Sequence, residues 1–176
     1  PFKTYTTKNI ALKNAKKILK ETKCDAVKLE GGKKVIEQVE YLIKNKIPVM
    51  GHLGLLPQSV KGKFKSKGKT SREIKQLMND AMLLQKTGVF AIVLECVKTP
   101  IAKQITKDLK IPTIGIGSSV HCDGQVLVTD DLIGLNYTNI RFVKKFLNVK
   151  KYINSGLRKF ALEVRSKKYP TKKHSY

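Results

Sequence analysis

Ile47-Pro48-Val49-Met50-Gly51-His52-Leu53-Gly54 decides how this chain is read. Ile47 to His52 reads as a short apolar strand, and its histidine stands between two glycines just where the run ends. Such a run fits a strand of a parallel sheet, buried on both faces. The pattern recurs on either side. Cys24 to Leu29 reads as a strand running into Glu30-Gly31-Gly32, and Phe90 to Glu95 as one finishing at Glu95-Cys96. Ile111 to Ile116 finishes at Gly115-Ile116-Gly117-Ser118, and Gln125 to Val128 reads as one more. Glu30 and His52 are 22 residues apart, as are Glu95 and Gly117. Units of that size suit a (β/α) barrel better than an open nucleotide-binding sheet, and no GxGxxG or GxxxxGK[ST] opens a helix here.

Helical periods fill the gaps between these strands. Ile10, Ala15, Ile18 and Leu19 predict one helix face, and Val35, Ile36, Val39, Leu42 and Ile43 the next. Thr70-Ser71-Arg72-Glu73 reads as a capping box: the hydroxyl accepts a free helix N–H while Glu73 reaches back. The helix it opens carries Ile74, Leu77, Met78, Ala81 and Leu84, and Gly88 is placed to end it. Ile101, Ile105 and Leu109 predict a further helix. Alternating strands and helices define an α/β protein.

Composition limits what the chain does. Hydrophobic residues make up 41% of the 176, enough for a core. The net charge is +23, the kind of excess that attracts nucleic acid or acidic membranes. Yet only Arg72, Arg141, Arg158 and Arg165 are arginines, there is no Trp, and the lysines are spread along almost every helix. Nucleic-acid sites more often concentrate guanidinium groups and stacking rings. The charge therefore reads as a Lys-rich solvated surface, with the run from Lys61 to Lys69 as the one place to test for an anionic ligand. No window approaches the roughly 18 apolar residues of a spanning helix, so a cytoplasmic protein with no membrane partner is expected. Cys24, Cys96 and Cys122 cannot all pair and show no CxxC spacing.

Chemistry gathers at the strand ends. Lys28 and Glu30 lie two apart on one strand and share a face, either as a self-satisfying ion pair or as a working one. His52 is either a structural hydrogen-bonder or a catalyst. Glu95 ends an apolar run whose surroundings should desolvate it, which suits a general base. His121-Cys122-Asp123 are metal-ligand types, but three consecutive residues do not readily face one ion.

Five segments make the reading specific: Asp25 to Gly32, Ile47 to Val60, Ile92 to Val97, Ile111 to Gly117 and Asp123 to Val128. They resemble the ketopantoate hydroxymethyltransferase family, as does the tail Tyr169-Pro170 with His174-Ser175-Tyr176. Gly-His-Leu-Gly-Leu-Leu-Pro-Gln-Ser-Val is a long string, and the matches cover the chain in order. The resemblance implies a (β/α)₈ TIM barrel, of which residues 1–176 would be the C-terminal two-thirds, with about five of eight strands and C-terminal helices over about 139–168. It implies transfer of a hydroxymethyl unit from 5,10-methylenetetrahydrofolate to 3-methyl-2-oxobutanoate on the route to pantothenate and coenzyme A. It also implies a homodecamer and one divalent ion, usually Mg²⁺. By the same resemblance Glu30 belongs to the carboxylate shell of the ion, Lys28 and His52 bind the substrate, and Glu95 is the proton acceptor.

The chain also departs from the family pattern. Two aspartates that bind metal and oxo acid would stand upstream of Pro1, so little turnover is expected from this chain by itself. Lys98 replaces a usual Pro, and Ser118 to Cys122 replace a stretch richer in Gly and Ala. Two other readings remain: a basic nucleic-acid-binding module, and a related Mg²⁺-dependent oxo-acid lyase. The long Gly-His-Leu-Gly string argues against the lyase.

Overall fold

The computed structural model describes residues 3–59, 65–136 and 140–176, so Val60 to Phe64, the start of the basic run, lie outside the described residues. The chain forms two compact units, Pro1–Val126 and Leu127–Tyr176.

In the first unit helix α1 (Lys8–Thr22) precedes strand β1 (Val27–Glu30), followed by α2 (Ile36–Lys44), β2 (Val49–Gly54), α3 (Ser71–Thr87), β3 (Ala91–Glu95), α4 (Thr99–Asp108), β4 (Thr113–Ile116) and β5 (Gly124–Gln125). The five strands form one sheet in the order β1-β2-β3-β4-β5, every pair parallel. Parallel neighbours need a crossover, and α2, α3 and α4 supply the first three. A doubly wound sheet reverses its strand order at a switch point, whereas sequential order describes a length of barrel wall. The last predicted strand is shorter and earlier than its apolar run, because only Gly124 and Gln125 pair with β4.

Local signals set the helix ends. The Thr70 hydroxyl accepts from the Glu73 N–H at 3.2 Å, and Glu73 Oε2 accepts from the Lys69 N–H at 2.8 Å, one residue before the cap. Gly88 ends α3 at φ 101°, a left-handed conformation that glycine adopts without a Cβ penalty. On α1 the buried residues are Ala11 and Ala15, while Ile10 points outward at 41% exposure. Two small residues one turn apart form the packed stripe, which turns the neighbouring Ile10 away from it.

Pairing register divides the sheet into two faces. Glu30 stands beside His52 and Gly54 beside Glu95, so Lys28, Glu30, Met50, His52, Val93 and Glu95 share one face. Leu29, Val49, Leu53, Ile92 and Leu94 share the other. Those five join one core cluster with Ala11 and Ala15 of α1, Val39 and Leu42 of α2, Leu77, Ala81 and Leu84 of α3, and Ala102 and Ile105 of α4. Complete burial of a leucine or isoleucine such as Leu42, Leu84, Leu94 or Ile105 stabilises by about 1.5–3 kcal/mol. The expectation of burial on both faces holds on this helix-covered side. On the charged side His52 is buried, Glu30 and Met50 are half-buried and Lys28 is exposed.

The second unit contains the short helix α5 (Thr129–Leu132) and α6 (Val149–Arg165). Between them, the N–H groups of Phe146 and Val149 donate to the carbonyls of Leu132 and Ile133, both at 2.9 Å. The Asn148 side chain caps α6 by accepting from the Lys151 N–H at 3.1 Å. Helix α6 lies in the later part of the span predicted as helical, and none of its residues is buried.

Candidate active site

The C-terminal ends of β1, β2 and β3 bring three of the four expected residues together. His52 is 1% exposed. Its Nε2 lies 3.2 Å from Glu95 Oε2 and its Nδ1 lies 3.8 Å from Glu30 Oε1, so the ring stands between two carboxylates from neighbouring strands. Among the described residues neither ring nitrogen has a partner in hydrogen-bond geometry. The ring thus lacks, among the described residues, the hydrogen bonds that would satisfy a purely structural histidine. A neutral imidazole offers one donor and one acceptor, whereas ionised carboxylates only accept. Two flanking carboxylates and one ring thus have a place for one more proton than the neutral ring carries, and the trio is suited to holding and passing protons.

Lys28 lies on the same face but is exposed, and it makes no ion pair with Glu30 among the described residues. The self-satisfying Lys28–Glu30 pair does not form. Lys28 stands exposed, while the side chain that faces Glu30 is His52.

Backbone groups complete the arrangement. Glu30 Oε2 accepts from the Gln58 N–H at 3.0 Å, so the loop after β2 folds back onto the end of β1. The Gly31 N–H donates to the His52 carbonyl at 3.0 Å, which ties the two strand ends past the site. Cys96, the residue after Glu95, has φ 51°, an uncommon left-handed conformation for a side-chain-bearing residue. Its N–H donates to the Ile116 carbonyl and its own carbonyl accepts from Lys67, both at 2.9 Å, so the turn after Glu95 is fixed on both sides. Burial pushes the Cys96 thiol above its ordinary range, and the Glu95 carboxylate adds to the effect.

Sequence reasoning missed two contributors, Tyr5 and the Gln58 amide. Burial pushes the Tyr5 phenol up, the Glu30 charge pushes it further, and a hydrogen bond with the Glu30 backbone opposes both. No motif announces Tyr5, although its place just before α1 puts it close to β1. A backbone N–H has no sequence signature at all. Asp123, one of the three consecutive metal-ligand types, is engaged elsewhere: its Oδ2 accepts from the Thr113 N–H at 2.8 Å and the Thr113 hydroxyl at 3.0 Å, which holds β4. Among the described residues no group of three or more His, Cys, Asp or Glu is placed to hold a metal ion.

A sequential parallel sheet with acid–base groups at the C-terminal ends of its strands defines the class, a (β/α)-barrel enzyme. Within that class the chain belongs to the ketopantoate hydroxymethyltransferase family, whose profile matches residues 1–172. Over its full length the chain is 62% identical to a 3-methyl-2-oxobutanoate hydroxymethyltransferase of Pelagibacter ubique (strain HTCC1062), covering 68% of that protein. It is 46% identical to the enzyme of the same name from Clostridioides difficile (strain 630) and 42% identical to that of Anaplasma marginale (strain Florida), covering 66% and 64% of them. The chain thus spans about two-thirds of the length of the curated relatives it matches.

Proposed function

We propose that this chain serves the transfer of a hydroxymethyl unit from 5,10-methylenetetrahydrofolate to C3 of 3-methyl-2-oxobutanoate, giving ketopantoate. The observation that carries the reading is His52 between Glu30 and Glu95, supported by the family to which the chain belongs.

In this reading Glu95 takes the C3 proton of the oxo acid. His52 at 3.2 Å accepts or returns that proton and holds the Glu95 carboxylate in position. Lys28 at the open edge pairs with the carboxylate of the oxo acid. The enolate carbon then gains its bond to the donor's methylene carbon. In the net reaction one water supplies the new hydroxyl, and the two carbon–nitrogen bonds of the donor become two N–H bonds on the released tetrahydrofolate. One of those protons comes from C3 and the other from the water.

The reading includes Mg²⁺, and Glu30 fits it. Its Oε2 is held by Gln58 while Oε1 faces the site, and Mg²⁺ commonly takes one or two carboxylates together with water and substrate oxygens. The ion's contribution there is Lewis-acid polarisation of the oxo acid's oxygens. The reading also includes a cytoplasmic homo-oligomer, decameric as the resemblance implies. Exposed apolar residues on α6, among them Tyr152, Leu157 and Phe160, favour association.

Exchange of the C3 proton tests the reading, because it needs the oxo acid and not the folate. With Mg²⁺ in heavy water, the C3 proton signal of 3-methyl-2-oxobutanoate is expected to disappear faster with the protein than without it. An unchanged rate removes the acid–base assignment.

A further inference from the structure

The basic run comes back to the strand that carries Glu95. The Lys67 N–H donates to the Cys96 carbonyl at 2.9 Å and the Lys67 carbonyl accepts from the Lys98 N–H at 3.0 Å, which makes a parallel bridge to Val97. We infer that Lys67 is a positioning residue for the proposed base: its N–H holds the turn after Glu95, and that turn sets where the Glu95 carboxylate meets the oxo acid. This rests on the function proposed above and gives the basic run a part in it.

The turn needs a holder. Cys96 stands at φ 51°, a conformation that a residue with a Cβ keeps only where its surroundings impose it. Three hydrogen bonds impose it here. The Glu95 carbonyl accepts from the Leu55 N–H at 2.8 Å, the Cys96 N–H donates to the Ile116 carbonyl at 2.9 Å, and the Cys96 carbonyl takes the Lys67 N–H. Leu55 and Ile116 come from the neighbouring strands of the sheet or the residue just past them, whereas Lys67 reaches the turn from a loop. His52 faces one Glu95 oxygen at 3.2 Å but not in hydrogen-bond geometry, so the ring does not fix the carboxylate by itself. The main chain sets the rest of its position, and a displacement of about 1 Å in a catalytic group can cost on the order of 10²-fold in rate.

This strap is anchored at its far end as well. Gly68 is buried at φ 83°, and a Cβ there would lie 3.2 Å from Ile101 Cγ1 on α4. One residue on, the Lys69 N–H donates to Glu73 Oε2 at 2.8 Å, beside the Thr70 cap of α3. That amide lowers the Glu73 carboxyl most, and the Lys67 charge lowers it further. The Lys67 ammonium thus acts toward α3 while its peptide acts toward Glu95. Side chain and peptide have separate tasks, and substitutions can tell them apart.

Lys67→Pro removes the N–H together with the side chain, and Lys67→Ala removes the side chain alone. The readout is exchange of the C3 proton of 3-methyl-2-oxobutanoate in heavy water with Mg²⁺, followed over oxo-acid concentration so that kcat and KM separate. Lys67→Pro is expected to lower kcat by about 10- to 100-fold, with KM within about two-fold of the unaltered value and a cooperative urea transition retained. Lys67→Ala restores the amide and is expected to recover at least about half of the unaltered kcat. Should Lys67→Pro not fold, Gly68→Ala keeps every amide but pushes the strap off α4, and it is expected to lower kcat at least about three-fold at unchanged KM. An unchanged kcat in the folded Lys67→Pro protein, or in Gly68→Ala where that is the variant used, overturns this inference alone. So does an equal loss in Lys67→Ala, or a fall in kcat matched by a rise in KM. Exchange by the unaltered protein no faster than without protein overturns the acid–base half of the proposed function, and this inference with it.

Discussion

Leu94 and Glu95 are chain neighbours on β3 that serve opposite faces of one sheet. Leu94 is completely buried among residues from the helices, while Glu95 stands 3.2 Å from His52 on the charged face. The same division holds on β1, where Leu29 enters the core and Glu30 meets His52. A strand changes face at every residue. The parallel register then lines up matching positions across three strands. One set of short runs thereby builds a hydrophobic wall and a row of proton-handling groups back to back. Stability and chemistry are separated by one step along the chain, so substitutions on the two faces should have different signatures.

Glu95→Gln gives the sharpest test of that division. Exchange of the C3 proton is expected to fall by about 10²- to 10⁴-fold, the range of a lost general base, with the urea unfolding midpoint nearly unchanged. Retained exchange would break the assignment, and a large loss of stability would break the separation of faces. Leu94→Ala, one residue away, should do the reverse. It is expected to cost about 2–5 kcal/mol of stability in urea unfolding, since a cavity opens in a packed core, and a cost below about 1 kcal/mol would show that the core closes over it. The smallest effect belongs to the end of α3, away from both faces. Thr70→Ala should cost about 1 kcal/mol through the lost cap. There the Lys69 amide holds the Glu73 carboxyl below its usual range. The stabilisation this gives is present above the unfolded-state pKa and is lost as pH falls through the lower folded-state value. The stability gap between the unaltered protein and Glu73→Gln should therefore close in acid.

The second unit offers a different contrast. Helices α1 to α4 each place residues in the core, whereas α6 carries Tyr152, Ile153, Leu157 and Phe160 with none of them buried. Its apolar positions are as plain in the sequence as those of α3. Periodicity reports that a helix has an apolar side, and only packing reports whether that side is covered.

Much of the fold is legible because its signals are local. The four longer strands lie within or beside their apolar runs, and the cap at Thr70 and the stop at Gly88 act within one helical turn. Glu30, His52 and Glu95 were also legible, as polar residues at the ends of apolar strands. The charge of +23 was the less informative signal, because lysines along solvated helix faces do not report where a ligand binds.

By itself, then, the sequence determined the strands, the helices, the family and the identity of the polar residues, since each of these rests on composition and spacing within a few residues. Tertiary structure alone decided that His52 meets Glu30 and Glu95 rather than leaving Glu30 to Lys28, and that the Gln58 amide holds Glu30. Those contacts join residues from separate strands, loops and helices. Their distances are set by sheet register and helix packing, which no local stretch of chain contains.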